Sequence, residues 1–372
     1  MSGGGTGGHI YPCLTVAQSL TADQGRAGGN GAGPEPPRFL YIGGPQPLDR
    51  RLVEEAGLPF AEVAAGGLRG VGLRAAPNAA RLVGGAAQAL KLVRSFRPNV
   101  ALVSGGYVSA PVVAACLAMR VPLVVLTVEI NQGWVNMAAA RVAAAVTASF
   151  PPAVERLPPG RTTLTGYPVR EPFLHMDRER ARAGLALDPT LPVLAVFGGS
   201  LGSHAINEAL VGTLPDLLLA TQVLHVCGEA DLADLEGRYA TLPATLRGRY
   251  RLFDYLPAAE MADLLAAADL VICRAGAAPL AELPLAGTPA IMVPGSFSSQ
   301  TTNARYMEAQ GAAITIANAD LTPDVLRARA LSLLRDHPRR EKMAEATRAL
   351  AKPDAASAIA GVVRRVAGVG RL

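Results

Sequence analysis

The stretch Gly3-Gly4-Gly5-Thr6-Gly7-Gly8-His9 stands at the head of the chain and decides how the rest is read. Five glycines in seven residues free the backbone to take positive φ angles and to approach a ligand with no Cβ in the way. Ile10, Leu14, Val16, Ala17 and Leu20 follow at spacings that mark the inner face of a helix, expected to open around Pro12. A glycine loop feeding a helix N-terminus offers unpaired N–H groups and about half a positive charge to an anion. His9 ends the loop, where an imidazole can act as a general base near neutral pH. A tight turn with a surface histidine has the same local sequence, so the decision falls to the remaining segments.

A phosphate loop normally follows a β-strand, yet only Met1 and Ser2 precede this one. We expect either a sheet that lacks its first strand or a coding sequence that starts upstream of Met1, and favour the second. Residues 25–37 are rich in glycine and proline with no apolar anchor, which predicts a surface connector. Short β-branched runs at 39–42, 99–104, 122–127 and 145–150 alternate with helical stretches. Prolines at 151–152 and 158–159 punctuate the middle, and the pattern then restarts. The run 191–197 leads into Gly198-Gly199-Ser200-Leu201-Gly202-Ser203, and further strands are expected at 222–226, 249–253, 269–273, 289–293 and 312–316. Two such halves predict an α/β protein of two Rossmann-like, doubly wound domains facing a cleft, with ligands outside the carboxyl ends of the strands. The boundaries expected are 1–160, 161–354, and a helical tail at 355–372, helical over 355–369, that packs back on the N-terminal domain.

Composition narrows the function. The 372 residues are 50% hydrophobic and only 5% aromatic, which suits a buried parallel sheet under helices. The 35 Lys+Arg against 30 Asp+Glu give a net charge of +5, without a basic run or aromatic-interleaved stripe, so no nucleic-acid partner is expected. Cys13, Cys116, Cys227 and Cys273 are scattered, which speaks for reduced cytoplasmic thiols and against a zinc site. No run of about 18 strongly apolar residues is present, as a spanning helix would need; a surface association with membrane stays open.

Several constellations could carry chemistry. Ser200 sits in a strand–glycine–helix junction, yet neither glycine loop meets the Walker or dinucleotide pattern. Glu282, behind Arg274-Ala275-Gly276-Ala277, can accept hydrogen bonds from vicinal ribose hydroxyls, or simply favour a helix dipole. Gln300 and Asn303 suit sugar hydroxyls or cap a helix. Glu129 and Asn131 follow a hydrophobic strand, where Glu129 is either a general base or a solvated acid. Arg170 can clamp an anion bidentately or lie on the surface. His175, His204, His225 and His337 share no ligand spacing and read as structural or exposed, while Asp231 and Asp234 read as helix-surface acids.

Taken together the motifs resemble the MurG family of N-acetylglucosaminyltransferases over nearly the whole chain. They run in order: the loop at 4–9, Gly67-Leu68-Arg69-Gly70, Ser104-Gly105-Gly106-Tyr107-Val108-Ser109, Glu129 with Asn131, Pro168-Val169-Arg170, Gly198-Gly199-Ser200, Cys273-Arg274-Ala275-Gly276-Ala277 through Glu282, and Gln300 with Asn303-Ala304. The resemblance implies the GT-B arrangement, UDP-N-acetylglucosamine as donor, and lipid I (undecaprenyl-pyrophosphoryl-MurNAc-pentapeptide) as acceptor. The sugar passes with inversion to the C4 hydroxyl of the muramoyl unit, giving lipid II. It further implies His9 as base, with Glu129 the other candidate from its own position, Glu282 on the ribose, Ser200 and Arg170 on the pyrophosphate, and Gln300 on the sugar. Leu256 would border the uracil, Ala277 and Asn303 would line the donor site, and Thr6, Gly7, Gly8 and Asn131 would complete the site from the N-terminal side. No cofactor and no metal are implied, since helix-terminus N–H groups can stabilise departing UDP.

The chain departs from the family where His-Glu-Gln-Asn is replaced by Val128-Glu129-Ile130-Asn131, Asp-His-Gln by Ser298-Ser299-Gln300, and an Asn by Tyr167. Two other readings therefore stand beside the transferase: a different GT-B or 2-epimerase enzyme acting on a UDP-sugar, and a non-catalytic UDP-N-acetylglucosamine binder. The resemblance places the protein at the cytoplasmic face of the cell membrane. The segment 73–97, with Arg74, Arg81, Lys91, Arg94 and Arg97 among apolar residues, could lie on an anionic membrane surface or be an ordinary amphipathic helix.

Overall fold

The computed structural model describes residues 1–5, 7–27, 36–65, 75–199, 201–296 and 298–368. Thr6, Ser200, the motif at 67–70, residues 73–74 and most of the 25–37 connector lie outside the described residues, as do the side chains of 75–83. Two compact units form, one from Met1–Val169 with Pro353–Leu372 and the other from Arg170–Lys352.

In the first unit, seven parallel strands alternate with helices: β1 Ser2–Gly3, α1 Gly7–Ala27, β2 Tyr41–Gly43, α2 Pro47–Glu55, β3 Phe60–Glu62, α3 Ala75–Phe96, β4 Ala101–Gly105, α4 Ser109–Ala118, β5 Leu123–Thr127, α5 Trp134–Val142, β6 Ala145–Ala148, α6 Pro151–Val154 and β7 Thr162–Leu164. Their order in the sheet is β3-β2-β1-β4-β5-β6-β7. Strands β4 and β5 are apolar along their length because helices cover both faces, and every residue of each is buried. Val103, Val125, Val146 and Val112 are the centre of this core, where full burial of such side chains stabilises by about 1.5–3 kcal/mol each.

The first strand, expected to be missing, is present in shortened form. Ser2 pairs with Ile42 on one side and Val103 on the other, and Ile42 N–H donates to Met1 O at 2.9 Å. Beside this strand a cavity of about 530 Å³ is bordered by Leu40, Val93, Phe96, Ala101 and Val363. The nitrogen of Met1 donates to Leu40 O at 2.7 Å.

Helix α1 opens at Gly7 rather than near Pro12, which lies inside it. Tertiary packing overrides the low helix propensity of glycine here, since Ile10 and Cys13 are completely buried. The edge strands β3 and β7 escaped the sequence reading because their residues are half-exposed and form no apolar run. Strand β7 also carries the first unit beyond 160, to Val169. The tail helix, α17 (Ala355–Ala367), buries Ile359, Ala360 and Val363. It packs on α1, where Arg364 Nη2 donates to Leu20 O at 3.2 Å.

The second unit repeats the plan with β8 Val193–Phe197, β9 Gln222–Val226, β10 Tyr250–Phe253, β11 Leu270–Cys273, β12 Ala290–Met292 and β13 Ala313–Thr315, all parallel, in the order β10-β9-β8-β11-β12-β13. Helices α7 (Arg178–Gly184) through α16 (His337–Arg348) cover it, among them α8 His204–Val211, α10 Leu232–Tyr239, α13 Pro279–Ala286 and α14 Ser298–Ala309. Leu194, Val196, Leu210, Leu217, Ile272 and Ile291 form its core. In both sheets the order reverses beside the first strand, so the crevices flanked by β1 and β4, and by β8 and β11, are where ligands of such sheets bind.

Candidate functional site

In the first unit the loops after β1 and β4 interlock. His9, in the first turn of α1, places Nδ1 3.1 Å from Ser104 O, while Ser104 Oγ donates back to His9 O. A carbonyl only accepts, so Nδ1 carries the proton and Nε2 keeps its lone pair. Burial lowers the His9 pKa, which keeps that lone pair available at neutral pH.

Ser104 O also accepts from Asn136 Nδ2 at 3.0 Å, and Asn136 Nδ2 lies 3.3 Å from Gln132 Oε1. Gln132 Nε2 in turn donates to Glu129 O. A polar chain thus ties His9 to the segment that bears Glu129. Glu129 is half-buried, and burial raises its pKa. Asn131 is held elsewhere, its Oδ1 accepting from Arg156 Nη1 at 2.5 Å. Gly7 is half-buried and Gly8 exposed in the first turn of α1.

Sequence reasoning missed Asn136, Trp134 and Asp49 here, and met Tyr107 only as part of a motif. Asn136 lies inside an otherwise apolar helix pattern. Tyr107 and Trp134, about 40% exposed, stand as a tilted ring pair with centroids 6.4 Å apart. Asp49, the third residue of α2, reaches the glycine loop itself: Gly5 N–H points inward to its Oδ1 and so is not free for an anion. An acid in the first turn of a helix directly behind Gly43-Gly44 was the available signal, and it reads as ordinary dipole chemistry.

In the second unit the loop after β8 packs directly on the one after β9. A Cβ at Gly202 would lie 1.9 Å from Cys227 O, and Gly202 has φ +74°, so only glycine fits. Beneath it runs a buried chain. Asn207 Nδ2 donates to Cys227 O at 2.9 Å and to Asp231 Oδ2 at 2.6 Å, while its Oδ1 accepts from His225 Nε2 at 2.9 Å. Tyr250 O–H then donates to His225 Nδ1 at 2.8 Å. Burial holds the His225 pKa down at about 3. Asp231 is therefore no plain surface acid: it anchors Asn207 and lies 3.1 Å from His204 Nδ1. Asp234 stays on the surface, bridged to Arg238.

Glu282, in the first turn of α13, is 6% exposed and pairs with Arg170, whose Nη2 lies 3.4 Å from Oε1. Burial raises the Glu282 pKa and the Arg170 charge opposes that rise. The Arg170 guanidinium also lies over the Phe173 ring, 5.0 Å from its centroid. Gln300 Oε1 accepts Gly295 N–H at 2.7 Å, and Asn303 Nδ2 donates to Ala275 O at 2.9 Å. Both amides thus grip the loops after β11 and β12. Asn303 Oδ1 is buried with no hydrogen-bond partner among the described residues. Ala277 is half-buried in the loop before α13, and Leu256 is buried behind β10. Among the described residues no three His, Cys, Asp or Glu side chains group as a metal site.

Two parallel Rossmann-like sheets with glycine loops at both switch points are the fold of the GT-B class, and the comparisons give the family. Residues 1–148 match the glycosyltransferase family 28 N-terminal domain and residues 193–359 its C-terminal domain. The chain belongs to glycosyltransferase family 28. Within it, a UDP-N-acetylglucosamine–N-acetylmuramyl-(pentapeptide) pyrophosphoryl-undecaprenol N-acetylglucosamine transferase from Roseiflexus sp. is 36% identical, covering 96% of this chain and 92% of that protein. The enzyme of the same name from Symbiobacterium thermophilum is 35% identical, covering 100% and 96%. The crystal structure of Acinetobacter baumannii MurG superposes with a TM-score of 0.75 at 25% identity, covering 98% of each chain.

Proposed function

We propose that this glycosyltransferase moves N-acetylglucosamine from UDP to the C4 hydroxyl of the muramoyl sugar of lipid I, forming lipid II for peptidoglycan. The observation that carries the reading is the near-full-length likeness to two transferases of that name, together with a half-buried imidazole whose Nδ1 faces Ser104 O, which leaves the lone pair on Nε2. His9 Nε2 removes the acceptor hydroxyl proton, and the oxygen attacks the anomeric carbon. The bond from that carbon to the UDP oxygen breaks, and the configuration inverts. Glu129 supports the acceptor with Asn131, the first turn of α1 supplies N–H groups at Gly7 and Gly8, and Thr6 precedes them in sequence.

On the donor, Glu282 takes the ribose hydroxyls and Arg170 with Ser200 the diphosphate. Leu256 borders the uracil, and Ala277, Gln300 and Asn303 line the sugar pocket. Negative charge developing on UDP falls to helix N-termini and Arg170. Because lipid I is a membrane lipid, the enzyme works peripherally at the cytoplasmic face, and cell shape and division depend on its product. Lys91, Arg94 and Arg97 are exposed on and just after α3 while Val93 packs into the core, so this helix offers anionic headgroups its charge and not an apolar face. No helix among the described residues is long and apolar enough to cross a membrane.

The test is transfer of labelled N-acetylglucosamine from UDP to a lipid I analogue, with and without EDTA. EDTA-insensitive product with a new β-1,4 linkage is the expected result. Tight UDP binding without product would instead favour a non-catalytic binder, in line with Val128 and Ile130 at positions where the family carries polar residues.

A further inference from the structure

Asp49 is 1% exposed, and its two oxygens serve two different loops. Oδ1 accepts the N–H of Gly5, after β1, and Oδ2 the N–H of Gly44, after β2, each at 3.4 Å. Among the described residues no basic side chain pairs with it, and burial raises its pKa while the two amides lower it. Stripping water from a carboxylate without an ion pair is expensive, and two long amide contacts return only part of that. The α2 dipole favours an acid in this first turn, but it gives no reason to bury one. The loop does. A Cβ at residue 4 would lie 2.3 Å from Asp49 Oδ2, so the carboxylate fills the space a side chain there would take.

Around it, Tyr41 O–H donates to Gly3 O at 3.0 Å, and Gly5 turns through φ +87° toward the carboxylate. We propose that Asp49 is a positioning residue for the transfer reaction, clamping the loop from which α1 and His9 start; the inference rests on the reading of His9 as base. By drawing Gly5 N–H inward, the clamp leaves the anion-facing N–H groups to the first turn of α1. It also ties the loop after β1 to the loop after β2.

The experiment uses the full chain with Asp49→Asn, which keeps the shape but replaces one acceptor oxygen by a donor. Amide hydrogen exchange at Gly5 and Gly44, UDP affinity by calorimetry and steady-state transfer are read together. Exchange at both glycines is expected to quicken about ten-fold or more, and kcat to fall about ten-fold or more, with UDP affinity unchanged. Gly4→Ala, which pushes the carboxylate from the opposite side, is expected to lower kcat similarly, and the double variant to be no worse than the poorer single one. Unchanged exchange at Gly5 and Gly44 would overturn the clamp. Faster exchange with kcat intact, or losses that multiply in the double variant, would overturn the positioning role. Absence of transfer by the unaltered chain would sink the transferase reading and the positioning role with it, and the exchange arm would still decide the clamp.

Discussion

Arg170 and Glu282, 112 residues apart in the chain, meet as an ion pair at 3.4 Å inside the second unit. Glu282 is the more deeply buried partner, so its charge depends on Arg170 more than the reverse. A donor that brings ribose hydroxyls to Glu282 and phosphate to Arg170 adds hydrogen bonds to a pair that is already preorganised. Glu282→Gln keeps the volume and removes the charge. Its KM for UDP-N-acetylglucosamine should rise about ten-fold, or about 1.4 kcal/mol, with a smaller change in kcat. Unchanged UDP affinity by calorimetry would remove Glu282 from the donor site.

As the proposed base, His9 would act in the transition state, so His9→Ala should cut kcat by about 10²–10⁴ while sparing UDP affinity. Turnover equal to the parent chain would take His9 out of the base role.

The pH profile follows from the same imidazole. Burial lowers its pKa below the ordinary 6.5, and the base form is the neutral one. Activity should therefore hold as pH falls to 6.5 and drop only below that, with an acidic limb in kcat/KM centred under 6.5. The limb should persist in Glu129→Gln; its disappearance there would transfer the base role to Glu129, whose pKa is raised by burial.

His225 makes stability pH-dependent in a stated direction. Its folded pKa of about 3 is below the 6.5 of the unfolded chain, so the unfolded state binds the proton first. The contribution is intact above 6.5 and erodes as pH falls toward 3. Between pH 7 and 5 the second unit should lose about 2 kcal/mol by urea denaturation. That loss should shrink in His225→Gln, which cannot titrate. An equal pH slope in both proteins would refute the assignment.

Gly202→Ala should destabilise the second unit by about 2 kcal/mol or more, since the new Cβ would meet Cys227 O and the left-handed φ is strained. Gly237→Ala is the counterpart. It lies within α10 with nothing within 4 Å of its Cβ position, and should stabilise by about 0.5–1 kcal/mol. Two variants of equal stability would show that the close packing of the loops after β8 and β9 carries no weight.

Strands with apolar, fully buried sequences were legible from the chain, most clearly 191–197 and 122–127, which contain β8 and β5. Edge strands β3 and β7 were not, because strand identity there comes from hydrogen bonding to a neighbour and not from side-chain burial. Among site residues, His9, Arg170, Glu282, Gln300 and Asn303 stood out by motif. Asp49, Asn136 and Asp231 did not, since each looks like a helix residue until another loop is brought against it.

The sequence by itself determined two parallel α/β units and a glycine loop at the head of each, because burial pattern and glycine placement are local properties. Folding decided which groups meet: Nδ1 of His9 on Ser104 O, Gly5 N–H on Asp49, and Glu282 on Arg170. Tautomer, charge state and loop position all follow from those pairings. They join residues 44, 95 and 112 positions apart, and no periodicity or spacing along the chain encodes a hydrogen bond of that span.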